Sequence, residues 1–494
     1  MNIKKTLLVL FISLINITFF QAQSVSGKIL STENLAIPYA TIQIGEKHGT
    51  ISNQEGDFTI STKGFAENEI VKISYLGFET KEIPLNKFIS KDYILKERFD
   101  VLSEVYLTNK KLNVEEILQK VKDSISSNYN LDFKSQIFYR NTIVSTPKKM
   151  EFEILKASEL SKSTIKTINS QFEDLQNFAV NKTSTYYKDI LLNYAKLNDS
   201  IKINVTKATK LINQAKDKST DKLQTDFIKI ITKQLDSSST YKLKSGLFKI
   251  EDSIKVDNVF KTKETPKTKE IASDLKVLLN KNAINENSYF SFLFNTSKND
   301  YTLDGISYFN GNPVYKITFT PKRKSEKFEG VFYVNTKDFA VIKIDYNLAE
   351  NRFGKRLNLK MLVGIKFIEN KINGSVVFKK GDDNLYSPQF INIEKQQYAY
   401  LSRPLKFIKN VMSEDDEKTT FKFKFKVEAT SSSKEELYFI ENTTTNNTNF
   451  KEFLNEDEYQ IESIEAYNPE IWKNYKIISP VESIKNYHLE DINI

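Results

Sequence analysis

The stretch from Ser24 to Leu95 constrains this chain more than any other. It consists of short runs in which apolar residues alternate with polar ones, separated by glycine. Val25 and Ile29 share one face of a run. Ala40, Ile42 and Ile44 share another, with Tyr39, Thr41 and Gln43 opposite. Phe58 with Ile60, and Val71 with Ile73 and Tyr75, repeat the pattern. Period-two alternation marks half-buried antiparallel strands, because successive side chains point to opposite faces. Gly45, Gly49, Gly56 and Gly77 fall between runs or at their ends, where glycine adopts turn geometry without steric cost. Pro38 opens a run, where its missing N–H does little harm. Several such strands in so short a stretch predict a small β-sandwich.

Five blocks in this stretch, in this order and spacing, resemble a known family. They are Gly27-Lys28-Ile29, Ile37 to Ile42, Gly49 to Asn53, Gly56-Asp57-Phe58 and Ser74 to Phe78. They are similar to the carboxypeptidase-like regulatory domain, whose fold is a seven-strand transthyretin-like (prealbumin-like) sandwich. In metallocarboxypeptidases that domain is an appendage to a zinc enzyme. In Gram-negative envelope proteins it stands at the front of TonB-dependent receptors and of chains without a peptidase. The resemblance therefore implies a folding or docking module. One departure is Asn53, where the family often has Asp; Asn keeps the turn bonding and removes a charge.

Bulk properties narrow the class. A chain of 494 residues exceeds one ordinary core, so several domains are expected. The net charge of +9 arises from 72 Lys and Arg against 63 Asp and Glu, interspersed along the chain. A nucleic-acid binder concentrates positive charge on one face or tail, so the reading is a solvated Lys-rich surface, with attraction to anionic lipid head groups as the alternative. The absence of cysteine excludes disulfides, thiol nucleophiles, Cys-ligated zinc and lipoprotein acylation. Lys4 and Lys5, the apolar run Thr6 to Phe20 and Gln21-Ala22-Gln23 read as a cleaved secretory leader. The run is short for a spanning helix and Asn16 interrupts it. An exported protein is expected, periplasmic or at the outer-membrane periphery, or secreted. Its membrane contact would be peripheral at most, and nucleic acid is not among its partners.

Beyond the sandwich the pattern changes. Val114, Ile117, Leu118, Val121 and Ile125 form one helical face, with Asn113 and Glu116 as a capping box. Phe133 to Val144 and Glu151 to Ala157 read as two strands joined through Pro147. Val114 to Asn141 resembles the segment that follows the sandwich in the larger envelope family, some members of which continue into an outer-membrane barrel. From Glu159 to Lys269 Gly and Pro nearly vanish. Phe172, Leu175 and Phe178, then Tyr187, Ile190, Leu191, Tyr194, Leu197 and Ile201, then Leu223, Phe227, Ile231 and Leu235 have helical spacing. They predict a helical insertion with heptads too irregular for a zipper. Tyr241 to Val256 returns to strand, and Lys261 to Lys269 is a charged linker.

From Ser288 onward an antiparallel meander is expected. Asn310-Gly311 suits a type I′ hairpin turn, and Asn373-Gly374 reads as a second one. Asp304 to Pro321 and Phe328 to Tyr346 resemble the curved half-barrel sheet of lipoprotein carriers, in which the concave face holds acyl chains. Inward aromatics filled against a helix are the competing expectation. Tyr467 to Trp472 resembles the closing motif of the same envelope family, with Trp472 packing on the sheet. The expected class is α+β and multidomain: seven-strand β-sandwich, helical insertion, then a curved, half-barrel-like antiparallel sheet. The boundaries are 1–23 for the leader, 24–97 for the sandwich, 98–158 for helix plus strands, 159–269 for the helical insertion and linker, 270–430 for the β-region and 431–494 for a C-terminal tail on the sheet.

No catalytic, cofactor or metal residues are assigned. The two histidines, His48 and His488, lie in no H-E-x-x-H or H-x-x-E arrangement, and Gly-x-Ser-x-Gly and phosphate-binding glycine loops are missing. Acidic runs at Asp382-Asp383 and Glu414 to Glu417 read as solvated loops. A stretch of strands long enough for a membrane barrel is lacking after Phe421. The expected function is a non-catalytic docking or binding protein of the envelope, whose curved sheet takes a hydrophobic ligand or a partner protein. The alternatives are an envelope hydrolase with a dispersed acidic site in the second β-region, and a structural assembly or adhesion subunit.

Overall fold

The computed structural model describes residues 24–45, 48–98, 112–212, 238–246, 248–255, 265–410 and 420–487, together with 229, 232, 233, 235 and 236. The chain divides into two compact units. The first takes residues up to 99 with 308–311 and 476–481, and the second takes the rest.

The first unit is built on seven strands: β1 (Ser24–Ser31), β2 (Thr41–Ile44), β3 (His48–Ile51), β4 (Asp57–Ser61), β5 (Ile70–Ser74), β6 (Lys81–Pro84) and β7 (Tyr93–Leu95). They form a three-stranded sheet, β4-β1-β7, and a four-stranded sheet, β3-β2-β5-β6. The expected seven-strand sandwich is present. Its core is the alternating set read from the sequence, with Val25, Ile29, Ile42, Ile44, Phe58, Ile60, Val71 and Ile73 all buried. Each large apolar side chain buried this way contributes about 2 kcal/mol, which lets a sandwich without disulfides hold together. Gly56 sits at φ +82 with its Cα facing Ile29 O, so a Cβ would be both strained and blocked.

The second unit holds fourteen strands in one large, curved, unclosed sheet. These are β8 (Phe133–Ala157), β9 (Ser184–Leu197), β10 (Ser200–Leu211), β11 (Thr240–Ser245), β12 (Phe248–Lys255), β13 (Asn299–Phe309), β14 (Asn312–Pro321), β15 (Phe328–Asn335), β16 (Val341–Leu348), β17 (Arg356–Leu359), β18 (Ile365–Lys380), β19 (Tyr386–Lys409), β20 (Thr420–Thr444) and β21 (Glu462–Ile464). The order is β13-β14-β15-β16-β18-β19-β20-β8-β9-β10-β21, with β11 and β17 pairing onto β19 and β18, and β12 onto β11. Among the described residues the three longest helices that accompany it are α1 (Val114–Asn128), α2 (Lys162–Ala179) and α3 (Thr268–Lys281). Helix α1 carries the predicted capping box, with Asn113 accepting from Glu116 N and Glu116 accepting from Asn113 N.

Register explains why the sheet is a core. Ile317, Phe332, Ile344, Val376, Ile391, Leu437, Tyr139, Ile190 and Ala208 face one another across nine successive strands. None of them is more than 5% exposed. Aromatic and helical side chains fill the space over this face. Phe292 stacks on Phe319 at 3.8 Å, Phe290 meets Tyr346 at 5.5 Å, and Tyr346 donates to Asn282 Oδ1 at 2.5 Å. Residues Ile271, Leu275 and Leu278 of α3 are buried. On the opposite face Phe390, Tyr438, Phe138 and Leu191 form a second cross-strand row, and Trp472 meets Phe138 edge-on at 5.7 Å.

The structure differs from the sequence expectations at four places. The helical spacing of Tyr187, Ile190, Leu191, Tyr194, Leu197 and Ile201 belongs to strands β9 and β10, while helix α2 covers the first part of the insertion. A strand buried on both faces reads as a continuous apolar run, and periodicity alone cannot separate that from a helix. Asn373-Gly374 lies inside β18 and is not a turn. Gly374 pairs with Tyr346, whose ring lies where a Cβ would be. The hairpin turn at Asn310-Gly311 is present, with φ of 49° and 75°. The two strands expected around Pro147 are one strand, because Pro147 lies past the end of the β8–β9 pairing and at an irregularity against Glu428/Ala429. The region 431–444, expected as tail, continues β20. Its small polar residues Thr430 to Ser433 lack alternation because both faces there are half-exposed. The leader, Leu223, Phe227, Ile231, Lys261 to Glu264, Glu414 to Glu417 and His488 lie outside the described residues.

Candidate binding cavity

A cavity of about 240 Å³ opens where the residues after α3 meet the start of β13 and the β14–β15 connection. Tyr289, Phe292 and Phe328 supply its aromatic lining, and Ser288, Ser291, Asn299, Ser325 and Glu326 its polar one. The local sequence dictates this arrangement. Phe290, Phe292 and Leu293 are buried, and a short 3-10 turn, Ser291–Leu293, leaves Ser291 and the preceding Tyr289 at the cavity beside Phe292. Tyr289 packs on Phe328 at 4.6 Å, and Phe328 on Tyr346 at 5.4 Å.

The feature that sets this cavity apart is Asn299. It is 5% exposed, and neither its Oδ1 nor its Nδ2 meets hydrogen-bond geometry with a protein partner. The Tyr301 hydroxyl near it donates instead to Phe292 O at 2.6 Å. A buried amide left unpaired costs about 1–3 kcal/mol. Native structures keep such a group where a ligand or an ordered water meets it. The neighbouring polar groups are otherwise engaged. Ser288 Oγ donates to Asn285 O and accepts from Phe290 N. Lys327 donates to Gly354 O, and Glu326 lies 3.8 Å from Lys298. Burial pushes the Tyr289 and Tyr301 phenols up, so both remain neutral donors.

Among the described residues the buried Glu369 accepts from Lys355 N, and Glu369 and Glu435 both lie within electrostatic reach of Tyr289. Glu435 accepts from Tyr139 and Lys395, each at 3.0 Å, and is satisfied. Partial burial, with Glu435 nearby, raises the Asp274 carboxyl, but Asp274 sits on an exposed position of α3. On the other face Arg140 grips Asp189 through two 2.8 Å bonds. Burial works to lower that guanidinium's pKa, while Asp189 raises it and prevails. The pair is a structural clamp between β8 and β9.

The residues singled out from sequence have structural employment. His48 Nε2 lies 2.7 Å from Ser61 O, and its ring packs on Phe65. Asp383 accepts from Thr444 Oγ1 and from Leu385 N. Asn53 is buried and fully used: Oδ1 accepts from Glu55 N and Asp57 N, and Nδ2 donates to Pro480 O at 2.9 Å. A carboxylate could not make that last bond, which explains the amide at this turn. Asn299 carries no periodic or motif signal in the sequence, being one Asn in a polar stretch beside Asp300.

The model of the CarboxypepD_reg-like domain family matches residues 25–109. These residues are a CarboxypepD_reg-like domain. The domain is a regulatory carboxypeptidase-like module and not a catalytic one. A similar domain-length stretch occurs in the TonB-dependent receptor P39 of Formosa agariphila, 31% identical over 102 residues. That match spans 20% of this chain and 10% of the receptor. A solved structure of a Bacteroides fragilis protein of unknown function, described as membrane-associated, aligns over 85% of this chain and 98% of its own at 9% identity, with a TM-score of 0.12. No helix among the described residues is long and apolar enough to cross a membrane.

Proposed function

We propose that this chain is a non-catalytic binding protein of the cell envelope, exported to the periplasm or the outer-membrane periphery. The CarboxypepD_reg-like domain is its docking module, and the large sheet is the scaffold of a small polar-ligand site. The envelope assignment is supported by the leader read from the sequence and by the receptor relative. The observation that carries the ligand reading is the buried Asn299 amide on the cavity wall, which makes no hydrogen bond of good geometry and has only the Tyr301 hydroxyl beside it. An open acyl trough is not favoured, because Phe290, Phe292 and α3 occupy the apolar face.

Asn299 offers a donor and an acceptor side by side, and the aromatic lining offers a flat apolar surface. The matching ligand group is a carboxamide or acetamido group on a small polar body. N-acetylglucosamine serves as the probe. Calorimetric titration of the full-length chain should give saturable binding, and Asn299→Leu should abolish it. Equal heats from both proteins would overturn the site. Metal-dependent peptide cleavage by the purified protein, absent from a preparation carried out identically without it, would overturn the non-catalytic reading.

A further inference from the structure

The edge of β19 carries an exposed apolar turn ringed by cations. Strands β17 and β18 are joined by a one-turn helix, Lys360–Val363, closed by Gly364 at φ +66. The turn is firmly tied down. Gly364 N donates to Lys360 O at 3.0 Å, and Ser402 N donates to Gly364 O at 2.8 Å. A Cβ at Gly364 would strike Ser402 O. This geometry leaves Met361 and Leu362 96% and 80% exposed. Leu357 and Leu359 of β17 and Phe248 and Ile250 of β12 are exposed as well. Arg403 links the two stretches: it donates to Val363 O at 2.9 Å, and its guanidinium lies 5.4 Å from the Phe248 ring. Apolar surface gathered in this way marks an interaction site.

Charge selects the occupant. Residues 351–368 include Arg352, Lys355, Arg356, Lys360 and Lys366 and no acidic residue. Residues 398–409 add Arg403, Lys406 and Lys409, again with none. β12 carries two acidic residues, Glu251 and Asp252, the latter paired with Lys249 at 2.5 Å, and Glu428 of β20 accepts from the Tyr398 hydroxyl, so cations outnumber acids around the turn without excluding them. Lys360 lies over the Tyr400 ring at 4.3 Å and Lys366 over Tyr398 at 5.3 Å. Exposed aliphatic residues, flanking tyrosines and cations on long stems are the combination that suits a membrane interface. The aliphatic groups enter the acyl boundary, the phenols stay at head-group level, and Lys and Arg reach the phosphates. Met361 and Leu362 are consecutive on a tight turn, an arrangement that inserts instead of receiving a partner's anchoring side chain.

We propose that the Lys360–Val363 turn is an anchor that inserts Met361 and Leu362 into the surface of an anionic phospholipid bilayer. The anchor uses none of the cavity residues, so its fate is separable from the ligand reading. The test is flotation of the full-length chain with vesicles of phosphatidylglycerol and phosphatidylcholine, compared with phosphatidylcholine alone. The protein should float with the anionic vesicles and be released by salt. Met361→Asn combined with Leu362→Asn should lower partitioning by about tenfold or more. Because the chain has no cysteine, Leu362→Cys gives a single labelling site. A bimane there should shift to the blue on anionic vesicles, whereas one at Glu286→Cys, exposed in the loop after α3, should not. Failure to float, equal flotation of the double variant, or an unmoved label on Leu362→Cys would overturn the proposal. So would binding confined to lipopolysaccharide, or a blue shift that depends only on protein concentration and signals a second copy on the turn.

Discussion

Two buried asparagines illustrate what single residues do in this protein. Asn53 uses its acceptor twice and its donor once, whereas Asn299 has only the Tyr301 hydroxyl beside it and makes no hydrogen bond of good geometry. Asn53→Asp would face a carboxylate toward Pro480 O, and urea denaturation should show a loss of about 2–3 kcal/mol in the transition that reports the sandwich. Unchanged stability would mean that the Pro480 bond is not formed. Asn299→Leu should instead leave the midpoint unchanged or raise it, since it removes an unsatisfied amide. Asp383 carries a pH dependence. Partial burial works to raise its carboxyl, but bonds from Thr444, Leu385 N and Asn130 hold it below the usual carboxylate range. A depressed folded pKa contributes stability that is complete above the unfolded value and is lost as pH falls through the folded one. Denaturation of Asp383→Asn should therefore lose less stability on acidification than the parent, and parallel acid profiles would refute this.

At the scale of elements, strand pairing decides which residues are legible. Gly374 shows it most clearly. In sequence Asn373-Gly374 resembles a hairpin turn, but its glycine is needed because the Tyr346 ring crosses it from the neighbouring strand. Gly374→Ala should cost about 2 kcal/mol, and Tyr346→Leu in the same chain should recover part of it in a double-mutant cycle. The sandwich was readable because its strands are buried on one face, so alternation survives in Val71-Lys72-Ile73 and in Phe58-Thr59-Ile60. Helix α1 was readable because its cap is local, from Asn113 to Glu116. Strands β9 and β10 were misread because Ile190, Leu191 and Leu192 are all buried, which erases the period. The middle of β20 was missed for the opposite reason: Thr430 to Ser433 bury neither face. The cavity was invisible because it depends on a tertiary juxtaposition of Tyr289, Asn299 and Phe328.

For the whole molecule, the large sheet is a scaffold whose aligned strands carry a continuous buried row. Nine strands align their buried residues in one row, and Phe290, Phe292 and α3 fill the space over it. The two proposed recognition sites, the Asn299 cavity and the Met361-Leu362 turn, use separate residues. The measurement that tests the cavity most directly is a titration of asparagine-¹⁵N-labelled protein with N-acetylglucosamine, followed at the Asn299 side-chain amide and assigned by its loss in Asn299→Leu. The Asn299 NH₂ resonances should move in step with the binding isotherm while those of Asn53 stay still. A saturable isotherm with the Asn299 resonances unmoved, or tight binding of a fatty acid to the sheet interior, would contradict it.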